Sequence, residues 1–158
     1  MNTWPKIALA AAGCGVLIYA YSRKMTRTKA NLIVMPEVSV HSISLTGLVL
    51  RTDVQIKNPS DGHFSILFPF VTLTYKDTLL GSSKVINQDI AINAYSEANI
   101  QKILIDIPLS SVFSVVSTLI KTIQTKQPVK ILVNVATVVN LGWSKINYAD
   151  TQEIALKN

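Results

Sequence analysis

The stretch VLRTDVQIKNPSDGHFSILFPF, residues 49–70, decides how this chain folds. Leu50, Val54 and Ile56, with Leu48 just before them, share one parity, and Arg51, Asp53, Gln55 and Lys57 share the other. A period of two is the mark of a strand with one buried and one solvated face. The pattern stops at Asn58-Pro59. Proline has no N–H to give a sheet, and it pushes the residue before it into an extended conformation. An asparagine side chain can bond nearby backbone and close a turn. Asn58 and Pro59 are therefore structural residues that end one strand and launch the next. Beyond the turn, Phe64, Ile66 and Phe68 alternate, and then Val71, Leu73 and Tyr75. The phase changes at Pro69, which predicts a bulge or an edge position there.

Other strand-like runs flank this one. In NLIVMPEVSVHSISLTG, Val38 and Val40 lie on one parity and His41, Ile43 and Leu45 on the other, so the phase slips once. LLGSSKVINQDIAINA, EANIQKILIDIPL, VKILVNVATVVN and GWSKINYADTQEIAL follow. Ile103, Ile105 and Ile107 share a face, as do Val129, Ile131, Val133 and Val135. Turn signals at 59–62, 77–81 and 140–142 separate strands at the spacing of a sandwich. One segment breaks the pattern. In PLSSVFSVVSTLIKTIQTKQP, residues Val112, Val116, Leu119, Ile120 and Ile123 recur at steps of three and four. This predicts an amphipathic helix over about 109–125, capped by Ser110 or Ser111 and stopped by Pro128, with its apolar face in the core.

Composition leans toward β structure, with Val, Ile, Thr and Ser abundant and Gly scarce. Of 158 residues, 49% are hydrophobic and 15% charged, below the quarter usual for a soluble domain. The net charge of +6 is uneven. Lys6, Arg23, Lys24, Arg27 and Lys29 all fall near the N-terminus with no acid among them, whereas the rest of the chain is close to neutral. A nucleic-acid-binding domain needs a basic patch on its folded body. This distribution supplies none, so no nucleic-acid partner is expected.

The basic residues frame an apolar stretch, WPKIALAAAGCGVLIYAYSRK, without charge over residues 7–21. Fifteen helical residues span roughly 22 Å. Counted from Trp4 the segment approaches the roughly 30 Å of a hydrocarbon core, with Lys6 and Arg23 able to snorkel. Trp4, Tyr19 and Tyr21 stand where an aromatic belt lies, and Arg23, Lys24, Arg27 and Lys29 face anionic headgroups. The expected organisation is a single transmembrane anchor over 1–22, a basic linker over 23–31 and a β body over 32–158. The bilayer is the first expected partner. A cleaved signal, a lipoprotein signal ending at Cys14 and a buried soluble helix are the competing readings. Basic residues after the anchor favour a body on the cytoplasmic side, whereas an uncleaved leader would put it outside, so both orientations stay open.

Catalytic or metal chemistry finds little footing. His41 and His63 stand on different elements, and a metal site needs several converging ligands. Cys14 belongs to the anchor and forms no internal disulfide, being the one cysteine. There is no G-x-S-x-G elbow and no phosphate-cradling glycine loop. Asp53, Asp61, Asp77, Asp89 and Asp106 occur singly, as on solvated faces. Neither catalytic residues, metal nor cofactor are expected.

The run TDVQIKNPSDGHFSILFPFVTLTYKDTLLGSS, followed by SEANIQKILIDIPLS and VKILVNVATVVNLGWSKINYADTQEIAL, resembles the late embryogenesis abundant group 2 (LEA2) family, also called the water stress and hypersensitive response (WHy) domain. The resemblance covers about residues 32–157 and rests on Asn58-Pro59 and the order of elements. It implies a small seven-stranded sandwich resembling an immunoglobulin or fibronectin type III domain, with one inserted helix, and a protective, stress-related role without catalysis. Two other roles fit the same composition: a membrane-associated structural component of a phage virion or other large assembly, with protein partners, and binding of lipid or an apolar ligand in a cleft between sheet and helix.

Overall fold

A computed structural model of this protein describes residues 32–110 and 113–157. The expected anchor and linker, with Trp4, Lys6, Tyr19, Tyr21, Arg23, Lys24, Arg27 and Lys29, lie outside the described residues, as do Cys14, Ser111 and Val112. No helix among the described residues is long and apolar enough to cross a membrane.

The alternating stretch forms β2 (Gly47–Lys57), with Leu48, Leu50, Thr52, Val54 and Ile56 buried. It lies between β1 (Ile33–Ile43) and β7 (Glu97–Pro108), antiparallel to both. The phase slip expected near His41 is a register shift between Val40 and Ser42. A second shift, on β7, places Lys102 at φ 60.

The second sheet is built on β8 (Lys130–Asn140), whose buried parity is Ile131, Val133, Val135, Thr137 and Val139. Along one edge it pairs with β9 (Lys145–Ala155) over its whole length. Along the other it pairs with β4 (Phe70–Tyr75) and then β3 (Phe64–Leu67). Between Ile66↔Val139 and Phe70↔Ala136, four steps on one side oppose three on the other. That extra residue is the bulge expected at Pro69. Thr137 Oγ1 donates to the Leu67 carbonyl there at 2.5 Å, satisfying a group the ladder leaves free. Outside these strands, β5 (Thr78–Ser82) pairs with β4 and β6 (Asp89–Ile92) with β3.

Nine strand segments thus occupy seven positions, because β3 with β4 and β5 with β6 each form one interrupted lane. The segment 77–81, expected as a turn, is mostly strand β5. The reversal comes one step earlier, at Lys76 and Asp77, whose φ values of 46 and 60 are those of a two-residue primed hairpin turn.

Helix α1 (Phe113–Gln124) connects β7 to β8 and buries Val116, Leu119 and Ile123 in the same core as both sheets. It ends before Pro128. Gln127 N donates to Thr122 O at 3.1 Å and Lys126 N to Ile123 O at 2.9 Å, with Lys126 at φ 55. This is a Schellman ending in which lysine takes the place usual for glycine.

Candidate functional site

The turn after β2 is the feature that the sequence singles out, and its chemistry is inward. Asn58 is 2% exposed. Its Nδ2 donates to Gly62 O at 2.7 Å and to Asn93 O at 2.9 Å. Its Oδ1 accepts from Ser60 N at 3.0 Å and Ser60 Oγ at 2.6 Å. Around it, Asn58 N donates to Ser96 O, and Tyr95 N to Ser60 O. One amide thereby closes its own turn and ties it to the loop of residues 93–96. Pro59, in contrast, is exposed. Both polar atoms of the Asn58 side chain are thus engaged by protein, in bonds that hold the turn and the neighbouring loop together.

Strand directions gather several segments at this end of the sandwich. The described chain starts there at Leu32, beside β1. The 58–63 turn, the 93–96 loop and the 141–144 hairpin all reverse there. Leu141 N donates to Ser144 O at 2.9 Å, and Gly142, at φ 89, takes the first central position of a two-residue hairpin turn. Trp143 follows it and is 61% exposed, while Tyr95 is 74% exposed. The flank where β1 meets β9 is stitched by Gln152 Nε2 to Val34 O at 2.7 Å, by Lys157 backbone bonds to Val38 and Val40, and by a Lys157–Glu37 ion pair. Tyr148 Oη reaches Leu32 O at 3.4 Å. Burial, with Asp150 nearby, raises the pKa of the Tyr148 phenol.

The two histidines are not brought together. His41 is exposed on β1, toward the far end, and His63 is exposed in the Asn58 turn. No group of three or more His, Cys, Asp or Glu that could hold a metal ion occurs among the described residues. Asp53 is not the solitary solvated acid expected. It pairs with Arg51 at 2.8 Å, and its Oδ1 accepts from Lys102 N at 2.7 Å across the β7 bulge. Partial burial pushes its pKa up, but the Arg51 guanidinium and the Lys102 N–H outweigh that and hold it below the usual carboxylate value.

An apolar groove of about 360 Å³ is lined by Phe68, Phe70, Val85, Ile86, Ala136 and Val138, among others. It is not the cleft between sheet and helix that the sequence suggested, since the inner face of α1 is buried in the core. Phe70, Ala136 and Val138 lie on the parity opposite to buried Val71, Val135 and Val139, which places the groove on the outer face of the second sheet.

These features define a mainly β protein of two sheets and one helix. Its structure is similar to that of a protein from Archaeoglobus fulgidus, with a TM-score of 0.53 and 9% identity, over 81% of this chain and 98% of that one. At that identity the likeness is one of fold. A protein from Arabidopsis thaliana aligns with a TM-score of 0.46 and 14% identity, over 77% of this chain and 79% of that one. A protein described as late embryogenesis abundant aligns with a TM-score of 0.40 and 16% identity, over 98% and 89%. No protein-family model matches the sequence. No curated protein matches it either.

Proposed function

We propose that this chain is a non-enzymatic β-sandwich module of the fibronectin type III kind, related to the LEA2/WHy domains, that is tethered to a membrane by residues 1–22 and serves a protective or structural role there. The observation that carries the tether is the partition of charge. Five basic residues and no acid surround an uncharged stretch over 7–21, while charge in the rest of the chain is nearly balanced. The lane order supports the sandwich reading: β1-β2-β7 forms one sheet, and the other places β8 between β9 and the interrupted lanes. The role is read from the Asn58 turn, the motif of the resemblance. Its polar atoms are spent on holding two loops together, as suits a module whose task is to stay folded.

The test is flotation with vesicles containing phosphatidylserine. The full chain should float with lipid at high salt, where headgroup attraction is screened. The chain lacking residues 1–30 should remain folded and stay in the aqueous fraction. Lipid binding by the truncated body at high salt would show that the body, not the leader, holds the membrane. Drying a labile enzyme with and without the truncated body then tests protection. Equal losses in both samples would leave only the structural role.

A further inference from the structure

We infer that the end of the sandwich carrying Tyr95 and Trp143 rests against the bilayer surface, so that the body is held upright on its tether. This rests on the membrane reading of residues 1–22 and deepens it by naming the contacting surface. Three observations carry it.

The first is Tyr95. It stands at φ 52, in the left-handed region that suits glycine or asparagine and strains a bulky residue. That conformation is held by its N–H bond to Ser60 O at 3.0 Å. A strained backbone is common where a side chain packs inward, but this ring is 74% exposed. A ring so exposed buries little surface to offset that strain. A ring with an apolar body and a hydroxyl tip is the type enriched at membrane–water interfaces.

The second is Trp143, at the tip of the β8–β9 hairpin and 61% exposed. Tryptophan shares the same interfacial preference. Tyr95 lies in the connection from β6 to β7, and Trp143 on the flank where β9 meets β1. The two aromatics therefore mark opposite flanks of one end, with the Asn58 turn between them. Between these flanks Lys57 and Glu97 offset each other at 3.6 Å, and Asp61 and Lys145 are of opposite sign, so no large charge opposes contact with the surface.

The third is where the tether joins. The described chain begins at buried Leu32, at this same end. Ten residues separate it from Tyr21, the last aromatic of the apolar stretch. Ten extended residues reach about 33–36 Å. The opposite end also exposes apolar side chains, Leu45 and Phe113. It lies a strand length further away, and the 11 residues of β1 alone span about 36 Å. The tether would have to run fully extended to bring that end to the bilayer, whereas the Tyr95–Trp143 end is within easy reach.

The chain contains two tryptophans, Trp4 and Trp143, which makes each a probe once the other is changed to phenylalanine. The experiment uses the full chain in phosphatidylcholine–phosphatidylserine vesicles at high salt, with phospholipid brominated high on the acyl chain as quencher. Trp143 in Trp4→Phe should shift to the blue and lose intensity in brominated vesicles, as should Trp4 in Trp143→Phe. A tryptophan at the far end, Leu45→Trp in a Trp4→Phe, Trp143→Phe background, should keep its aqueous emission. Tyr95→Asn in Trp4→Phe should leave the urea midpoint unchanged or raised, yet reduce the quenching of Trp143. Quenched Trp4 with unquenched Trp143 would overturn this inference and leave the anchor standing. An unquenched Trp4 would overturn the anchor itself. Equal quenching at Trp143 and at position 45 would show that the body lies on the bilayer without a preferred end.

Discussion

Asn58 Nδ2 donates to the carbonyl of Asn93 at 2.9 Å, joining two loops that lie 35 residues apart in sequence. The same side chain makes three further bonds within its own turn. Asn58→Ala removes all four, leaving half-buried Ser60 and Gly62 without these partners, while Asn93 O keeps its bond from Ser96 Oγ. A hydrogen bond contributes about 0.5–1.5 kcal/mol net, and an orphaned buried group costs about 1–3 kcal/mol. A loss of about 2–4 kcal/mol in urea unfolding is expected. Asn58→Asp keeps the acceptor but turns a carboxylate toward two carbonyl oxygens, so it should cost no less than alanine. Exposed Pro59 contributes mainly through the unfolded chain, and Pro59→Ala should cost only about 0.4–1 kcal/mol. Equal effects at the two positions would mean that the turn is held by proline rigidity instead of by the amide network.

Leu119 is fully buried on α1, together with Val116 and Ile123. Truncating such a leucine costs both transfer free energy and a cavity, typically about 2–5 kcal/mol. Leu119→Ala should fall in that range, whereas Phe113→Ala, at an exposed position of the same helix, should cost well under about 1 kcal/mol. Thermal unfolding of both variants measures the difference. Matching losses would mean that α1 buries a second face.

The parities of β2 and β8 were legible because a one-sided core imposes a period of two, and the helix because its apolar steps switch to three and four. Interruption of two lanes was not. Whether the segment 67–70 holds one strand or two depends on pairing with β8, which follows only after α1 in the chain. The reversal at Lys76-Asp77 comes one step before the expected 77–81 because neither residue is glycine, and Tyr95, Lys102 and Lys126, also at positive φ, carry no glycine signal either. Asp53 looked solitary because one of its two partners, the Lys102 N–H, sits at a bulge 49 residues away. At the candidate site, Asn58 announced itself through the proline that follows it. Tyr95 and Trp143 carried no shared local signal, since only the strand directions bring their loops to one end.

Asp53 makes an acid-dependent contribution whose sign follows from its lowered pKa. A carboxyl that ionises more readily folded than unfolded adds stability above its unfolded pKa. That stability is lost as pH falls through the folded value. The window lies below about pH 4, the ordinary range for aspartate. Asp53→Asn should therefore destabilise the protein near neutral pH and flatten the fall in stability between about pH 4 and 2. Urea midpoints measured across that range for both proteins test it. Parallel curves would show that Arg51 and Lys102 do not act on this carboxyl.

Thr52 sits at the centre of β2 with its side chain in the core, fully buried between Leu50 and Val54 in the row of inward residues. Its Oγ1 has no hydrogen-bond partner among the described residues. Placing a hydroxyl in an apolar site without a partner costs about 1–3 kcal/mol on mutational scales. Valine has nearly the same shape, is at least as well suited to a strand and brings no polar atom. Thr52→Val should therefore stabilise the body by about 1–2 kcal/mol, read as a higher urea midpoint with an unchanged slope. Thr52→Ser separates this cause from packing. It keeps the orphaned hydroxyl and loses a methyl group, so it should destabilise by about 1 kcal/mol. If Thr52→Val instead lowered the midpoint as much as Thr52→Ser, the hydroxyl would be contributing a bond to the fold, and its burial would be a stabilising feature of β2.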